Sequence, residues 1–504
     1  MSSIKMRAFI GPTQHLTLRH PFATRSTIFR YGVPVALDVF SRELICLDPA
    51  WLKMKGYIDS MMFAFFGVKG FGKSSTLKII ALRLAMLTAG FEEMRVAIND
   101  HKVLKQDRKD GSMAHGMEYD ALAQLMGCVP FVMSRMRVNP FDHRICQTYS
   151  QLLAMASLLA SFSETDQLKV RDKRALRVAV LRMYRMNHEL WSPALLLDII
   201  RTLCAADVEE YHSHARRLLI VEHTRRRRRL SGLLTGGELK KLDEEFREQL
   251  ARDVTISSDL TVEAKESLFD LLDDVFSGPD ADLFGDSHSM FDMYGQRALV
   301  RQWTGFASGG NGETIMRTLD SQLMTFVIEN GQWDLLSHLV LDDELHKGME
   351  NPVSAKSKAW LSKISRSLPQ TSLGATQRQT DLLKGSVDSE HYRHGMSYID
   401  DLGGVMLARQ RGSKAYLDSL QERYLLSDRQ RAILPNLPKY CMFFKGSEEF
   451  PASLGRVFAT PEELPYLKTD QSNEQLLLRP GIGSLEAIEE YAKVNGVKII
   501  GAAA

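Results

Sequence analysis

Two rhythms of apolar and polar positions divide this chain. Up to about residue 146, and again from about 331, short apolar runs alternate with segments whose apolar residues recur every three to four positions. Between these two parts the helical rhythm dominates. In the first part, 35–39 and 43–47 read as short strands separated by a turn. The apolar run 61–66 reads as a strand, and 77–87 as the helix after it. A second buried strand is expected at 94–98, ending at Asn99-Asp100, then a helix at 119–126 and a third strand at 129–133.

The middle block reads as helices over 151–159, 170–184, 194–203, 237–250 and 264–275, with loops at 278–285 and 309–312. The strand–helix pattern then returns with 335–341, a helix over 354–366, and strands at 371–375 and 440–444. A last helix is expected over 485–494, with Ser484 as its N-cap. No internal repeat is visible. Strands alternating with helices predict an α/β fold, a parallel sheet flanked by helices. The expected division is a short β-rich segment at 1–58, an α/β core from 59–146 and 331–470, an all-α insertion at 147–330, and a helical tail at 471–504.

One strand–helix junction carries recognisable chemistry. Gly67, Val68, Lys69, Gly70, Phe71, Gly72, Lys73, Ser74 and Ser75 lie between the strand at 61–66 and the helix at 77–87. They match G-x-x-x-x-G-K-[ST], the phosphate-binding loop of a P-loop NTPase. Glycines let backbone N–H groups close around an anion at a helix N-terminus. Lys73 is expected to bridge the β- and γ-phosphates of ATP, and Ser74 to hold Mg²⁺.

Hydrolysis also needs an apolar strand ending in carboxylates. The run Leu339-Val340-Leu341-Asp342-Asp343-Glu344-Leu345-His346 supplies one. Read as a D-E-x-H ending, it assigns Asp343 to Mg²⁺ and Glu344 to polarising the attacking water; Asp342-Asp343 is the alternative register. The following strand ends in Thr376-Gln377, where the Gln377 amide could sense the γ-phosphate. Arg366 ends the intervening helix. It reads either as a cation complementing the helix dipole or as an arginine finger acting on a neighbouring subunit.

Composition narrows the setting. The chain has 504 residues, 44% hydrophobic and 25% charged, with a net charge of +2. That is an ordinary globular composition, sized for two or three domains, without the global charge that would argue for a polyanionic partner. Cys46, Cys128, Cys146, Cys204 and Cys441 show no C-x-x-C spacing, so neither a disulfide framework nor a zinc site is expected, and a reducing cytosol fits them. The first residues lack the apolar core of a signal peptide, and no apolar run approaches membrane-spanning length. The expected location is cytoplasmic, with any attachment to the inner face of the membrane made through a partner. Five arginines at 225–229 read either as a contact for nucleic acid or another anionic surface, or as the solvated face of a long helix beside the acidic segment 238–248.

The order of these features resembles the HerA–FtsK superfamily of motor ATPases, and is most similar to the type IV secretion and conjugative-transfer ATPases. The P-loop is followed by Asn99-Asp100, Glu118-Tyr119, Val138-Asn139-Pro140-Phe141-Asp142, a helical insertion, Asp343-Glu344 and Thr376-Gln377. That family's D-P-K-G-E-Y-like stretch is altered here, split between Asp100-His101-Lys102 and Glu118-Tyr119. The segment 278–306, with Arg301-Gln302-Trp303-Thr304-Gly305, is similar to the end of the family's insertion. The resemblance spans roughly residues 30 to 450.

It implies a RecA-like core, a ring, commonly a hexamer, with ATP and Mg²⁺ at subunit interfaces, and Arg366 acting in trans. DNA and membrane-embedded secretion-channel proteins are the implied partners. About 60 residues precede the P-loop, so the large N-terminal domain of many such ATPases is not expected, which puts channel docking through it in doubt. The favoured function is an ATP-hydrolysing motor for conjugative DNA transfer or type IV secretion. The alternatives are a DNA translocase or packaging motor without a channel, and a slow nucleotide-switched scaffold.

Overall fold

A computed structural model describes residues 28–87, 94–101, 103–107, 113–163, 169–254, 262–285, 289–306, 311–335, 337–350, 352–368, 370–446 and 450–467. The helix expected at 485–494 and the tail at 471–504 lie outside the described residues.

The strands are β1 (Val33–Asp38), β2 (Leu44–Leu47), β3 (Met62–Phe66), β4 (Val96–Asp100), β5 (Val103–Asp107), β6 (Met113–Met117), β7 (Val129–Val132), β8 (Ala298–Gln302), β9 (Leu339–Asp343), β10 (Thr371–Thr376), β11 (Gly404–Leu407), β12 (Cys441–Lys445) and β13 (Ser453–Val457). All but β5 and β6, which form a separate hairpin, join one eleven-stranded sheet. Its order is β2-β1-β13-β12-β11-β3-β10-β9-β4-β8-β7. From β11 to β7 every neighbouring pair is parallel. From β11 towards β2 the pairs are antiparallel.

β3 lies inside the parallel part, and every one of its residues is buried. A strand covered on both faces needs an unbroken apolar run, which Met62-Phe63-Ala64-Phe65-Phe66 provides. On one face the helix Lys73–Leu87 buries Leu77, Ile80, Ala81 and Leu84 against Leu339, Leu341, Leu373 and Met406. On the other face, Leu345, Ala355 and Tyr398 pack with Ala64, Phe66, Val405 and Leu407.

The insertion is built from the helices Tyr149–Ala160, Val170–Arg185, Pro193–Thr202, Ala205–Leu230, Gly236–Val254 and Val262–Ser277. Leu152, Leu159, Ala179, Met183, Leu196, Ile200, Leu268 and Leu272 meet in one core. Thr148 and Ser192 cap two of these helices by accepting from the N–H groups of Gln151 and Leu195. The Asn139–Asp142 stretch forms the junction. The Asn139 amide donates to the Trp191 carbonyl at 2.7 Å and accepts from the Phe141 N–H at 3.0 Å, and Asp142 pairs with Arg144 at 3.0 Å.

Two corrections concern the segment 147–330. β8 falls inside it, yet it is a strand of the main sheet, between β4 and β7. Its polar end disguised it: Arg301 is buried there because its guanidinium lies 3.7 Å from Asp320 and over the Tyr294 ring. The helix Gly312–Glu329 likewise packs beside the helix Pro352–Ser365, where Thr325 and Ser357 hydroxyls meet at 3.0 Å.

The arginine run lies on the helix Ala205–Leu230, which pairs with Gly236–Val254. Arg227 and His223 both reach Asp243 at 3.0 Å, and Arg226 reaches Glu329 at 2.5 Å. Part of the run is therefore engaged by this chain's own carboxylates.

Candidate nucleotide site

The loop after β3 is fixed from both sides. The Gly67 N–H donates to the Thr376 carbonyl at 3.3 Å and the Val68 N–H to the Arg409 carbonyl at 3.0 Å, tying the loop to the ends of β10 and β11. Gly70 and Gly72 have φ of +83° and +95°, the left-handed region that favours glycine. A Cβ on Gly72 would stand 2.4 Å from the Tyr440 ring. Tyr440 in turn donates its N–H to the Phe71 carbonyl at 3.3 Å. The Arg409 guanidinium lies 5.0 Å from the centre of the Phe71 ring.

Lys73 opens the helix and points back into the loop, its ammonium donating to the Val68 carbonyl at 3.3 Å. Ser74 is half-buried in the same first turn. This loop, with left-handed glycines and an inward lysine at a helix start, fits a polyphosphate. Gly67 to Ser75 would hold the phosphates, and Lys73 would neutralise them. Ser74 with Asp343 would hold Mg²⁺, which takes few protein ligands when phosphates supply the rest.

Sheet register brings the remaining candidates to this edge. Thr376 is paired with Phe66, and Asp343 with Ala375. The end of the acidic strand, the end of the Gln377 strand and the start of the loop are therefore level. Gln377 is exposed immediately after β10.

Alternation along β9 separates the two aspartates. Leu339 and Leu341 share the core of the P-loop helix, which places Asp343 on that face. Its charge is felt by two buried groups there. The Lys78 pKa is lowered by burial, against the opposing pull of Glu118, Asp343 and Asp100. The Tyr119 hydroxyl is pushed well up by burial, reinforced by the charge of Asp343.

Sequence reasoning missed Lys78, although a lysine inside the apolar run Leu77-Lys78-Ile79-Ile80 was the available signal. Its ammonium donates to the Glu118 carbonyl at 2.7 Å, lies 3.5 Å from the Glu118 carboxylate and sits over the Tyr119 ring at 4.6 Å. The Tyr119 N–H donates to Asp100 at 3.1 Å. The β5–β6 hairpin thus loops out between Asp100 and Glu118, and the two halves of the split motif meet again behind the loop.

Glu344 has φ 62° and ψ 50°. That left-handed conformation costs a non-glycine residue about 1–2 kcal/mol, and such strain concentrates at functional sites. Its N–H donates to the Asp343 carboxylate at 3.2 Å. His346, which the sequence offered only as part of the D-E-x-H ending, lies with Nδ1 3.5 Å from Glu344 Oε2 and 3.1 Å from Thr376 Oγ1.

Asp342 faces the opposite side of the sheet. It is paired with Lys358 and lies 3.5 Å from His101 Nε2. Arg317 donates to His101 Nδ1 at 2.8 Å and pairs with Glu313 at 2.6 Å. A cavity of about 110 Å³ borders this network, lined by Asn99, Arg301, Arg317, Asp320, Asp342 and Lys358 among others. Burial alone would raise the Asp342 pKa, but Lys358 and the His101 bond hold it well below the usual carboxylate range. The structure commits this aspartate to the far face, so the Asp342-Asp343 register would need β9 to turn over.

His101 is pushed down to about 4 by burial, with Arg317 adding to the shift and Asp342 opposing it. A histidine held neutral in the fold but titrating near 6.5 when unfolded binds more protons in the unfolded state. Stability is therefore expected to be full above pH 6.5 and to fall as pH drops towards 4, by on the order of 3 kcal/mol. Melting temperatures from pH 7.5 to 4 should show this loss, and H101F should remove that part of the slope.

Arg366 is not near the loop of its own chain. It ends the helix that descends to the start of β10, where its guanidinium pairs with Asp401 at 2.8 Å and its carbonyl accepts from Lys53. Asp401 just precedes β11. Arg366 thus sits half-exposed at the opposite edge of the sheet, on the order of 15–20 Å away by strand length. It cannot serve the phosphate loop in cis.

No protein-family model and no curated protein matches this chain. Solved structures do. VirB4 of Thermoanaerobacter pseudethanolicus superposes with a TM-score of 0.52 at 14% identity, over 86% of this chain and 98% of that one. The chain has the VirB4 fold. Plasmid coupling protein TrwB, in complex with a non-hydrolysable GTP analogue, is a more distant match, with a TM-score of 0.38 and 13% identity over 90% of this chain and 94% of its own. TrwB in complex with ADP and Mg²⁺ gives a TM-score of 0.37 at 14% identity, over 84% and 89%. The VirB4 likeness is one of fold, and it agrees with the expected parallel α/β core.

Proposed function

We propose that this VirB4-like chain is an ATP-hydrolysing motor that works as a ring, with each nucleotide bound between neighbouring copies. We assign it to conjugative DNA transfer or type IV secretion. One observation carries the reading. The phosphate loop, Asp343, Glu344 and Gln377 share one edge of the sheet, while Arg366 lies half-exposed at the other. A second copy can supply what the first cannot place. Lys73 and the loop N–H groups bind the phosphates, and Ser74 and Asp343 hold Mg²⁺. Glu344 polarises the attacking water, Gln377 registers the γ-phosphate, and the partner's copy of Arg366 stabilises transition-state charge. When bound, Mg²⁺ neutralises charge on the phosphates.

Among the described residues no helix is long and apolar enough to cross a membrane, so contact with a channel would run through a partner. The test is complementation. K73A and R366A should each lose most ATP turnover, R366A by about 10³-fold. Mixed together they should recover activity, because one contributes the loop and the other the arginine. Failure to recover activity, with both variants folded and associating, overturns the shared-site reading. Turnover stimulated by DNA and steeply weakened by salt would point to direct DNA pumping. Turnover indifferent to DNA would point to energising a secretion machine.

A further inference from the structure

His346 joins three elements that the ATPase reading treats separately. Its Nδ1 lies 3.1 Å from Thr376 Oγ1 and 3.5 Å from Glu344 Oε2. The Thr376 hydroxyl lies 3.5 Å from Asp381 Oδ2, and the same carboxylate oxygen accepts the Arg378 N–H at 2.8 Å. With His346 protonated at Nδ1, Thr376 accepts from His346 and donates to Asp381. In that tautomer the ring bonds the Thr376 hydroxyl while standing within ion-pair distance, 3.5 Å, of the Glu344 carboxylate. Thr376 immediately precedes Gln377, and Glu344 is the residue with left-handed backbone at the end of β9.

We propose that His346 is a positioning residue that ties the Glu344 carboxylate to the end of β10, so that the candidate base and the Gln377 strand end are held as one unit. The proposal rests on the ATPase reading and adds to it the residue that couples base to sensor. A carboxylate on an arched backbone has rotamers that turn it away from the phosphates. A ring nitrogen anchored on the neighbouring strand selects among them, and any shift at Gln377 is passed to the base through one side chain.

The test uses the full chain, with ATP turnover and fluorescent-ATP binding measured for H346A, H346N and H346Q. An asparagine amide can take the place of Nδ1, whereas a glutamine amide reaches towards Nε2. H346A should lower kcat by about 10–100-fold with nucleotide affinity unchanged. H346N should recover much of that loss and H346Q little of it. Adding T376V to H346A should cost little more, since both cut the same link. The proposal is overturned if H346A turns over like wild type, if H346Q rescues as well as H346N, or if H346A and T376V losses simply add. Melting temperatures separate a folding defect from these outcomes, because a purely structural role would not distinguish Asn from Gln in kcat. A wild-type chain without turnover, or one indifferent to E344Q, overturns the ATPase reading and this proposal together. A normal E344Q response with an indifferent H346A overturns this proposal alone.

Discussion

Glu344→Gln is expected to leave ATP binding intact and to slow hydrolysis by about 10²–10⁴-fold. The amide keeps the shape and the contact with the His346 ring but cannot accept a proton from water. The loop, Lys73 and Asp343 are untouched, so affinity for ATP with Mg²⁺ should stay near wild type. Phosphate release and fluorescent-ATP titration separate the two effects. A second substitution at the same residue tests the geometry. Glycine adopts φ 62° without the cost that glutamate bears, so E344G should raise the melting temperature while abolishing turnover. A gain in stability accompanied by lost function is the signature of a residue held in a strained conformation for its chemistry. Turnover unchanged in E344Q would remove Glu344 as the base and favour a nucleotide-switched scaffold.

The sequence revealed most where one residue type permits little else. Gly72 is legible because only glycine fits both φ +95° and the approach of Tyr440. β3 is legible because a strand covered on both faces needs an unbroken apolar run, whereas β9 starts at Leu339, four residues later than expected, after a helical turn at Trp333–Leu335. β8 was hidden for the complementary reason: Arg301 is buried by partners on other elements, and a local window cannot see Asp320 or Tyr294. β11 and β13 did not stand out because each carries a glycine, and Arg456 further breaks the apolar pattern of β13. The acidic run shows the same division within one motif. Asp342, Asp343 and Glu344 are adjacent carboxylates in sequence. Alternation along β9 and one left-handed residue send them to different environments, and only three-dimensional packing shows that Lys358 and His101 claim Asp342. The regathering of Asp100 and Tyr119 across the β5–β6 hairpin is likewise a fact of folding, although the altered motif was visible as two fragments. Arg366 was expected to end its helix, and it follows the last helical residue, Ser365. Its distance from the phosphate loop of its own chain needed the sheet.

The far-face network has a large energetic consequence of its own. Lys358→Met is expected to destabilise the fold by about 3–5 kcal/mol, because it leaves a buried carboxylate without its cation. Asp342 is 5% exposed, and its remaining contact there is His101, held neutral and already accepting from Arg317. Two responses limit the cost. Asp342 can regain a proton as its pKa climbs back, or His101 can take one and become the missing cation. Either response adds a proton to the folded state, so the loss of stability relative to wild type should shrink as pH falls. The reciprocal change clarifies the ledger. D342L with K358M replaces both charges by apolar groups and should recover most of the stability, since a buried pair contributes little net once its desolvation is counted. Denaturant unfolding of the two variants checks this. Equal losses in single and double variants would mean that Lys358 acts through packing of its alkyl chain and not through Asp342. Because Asp342 adjoins Asp343 on β9, the double variant is also informative about function. Retained ATP turnover there would show that the far-face aspartate takes no part in holding Mg²⁺, as its orientation requires.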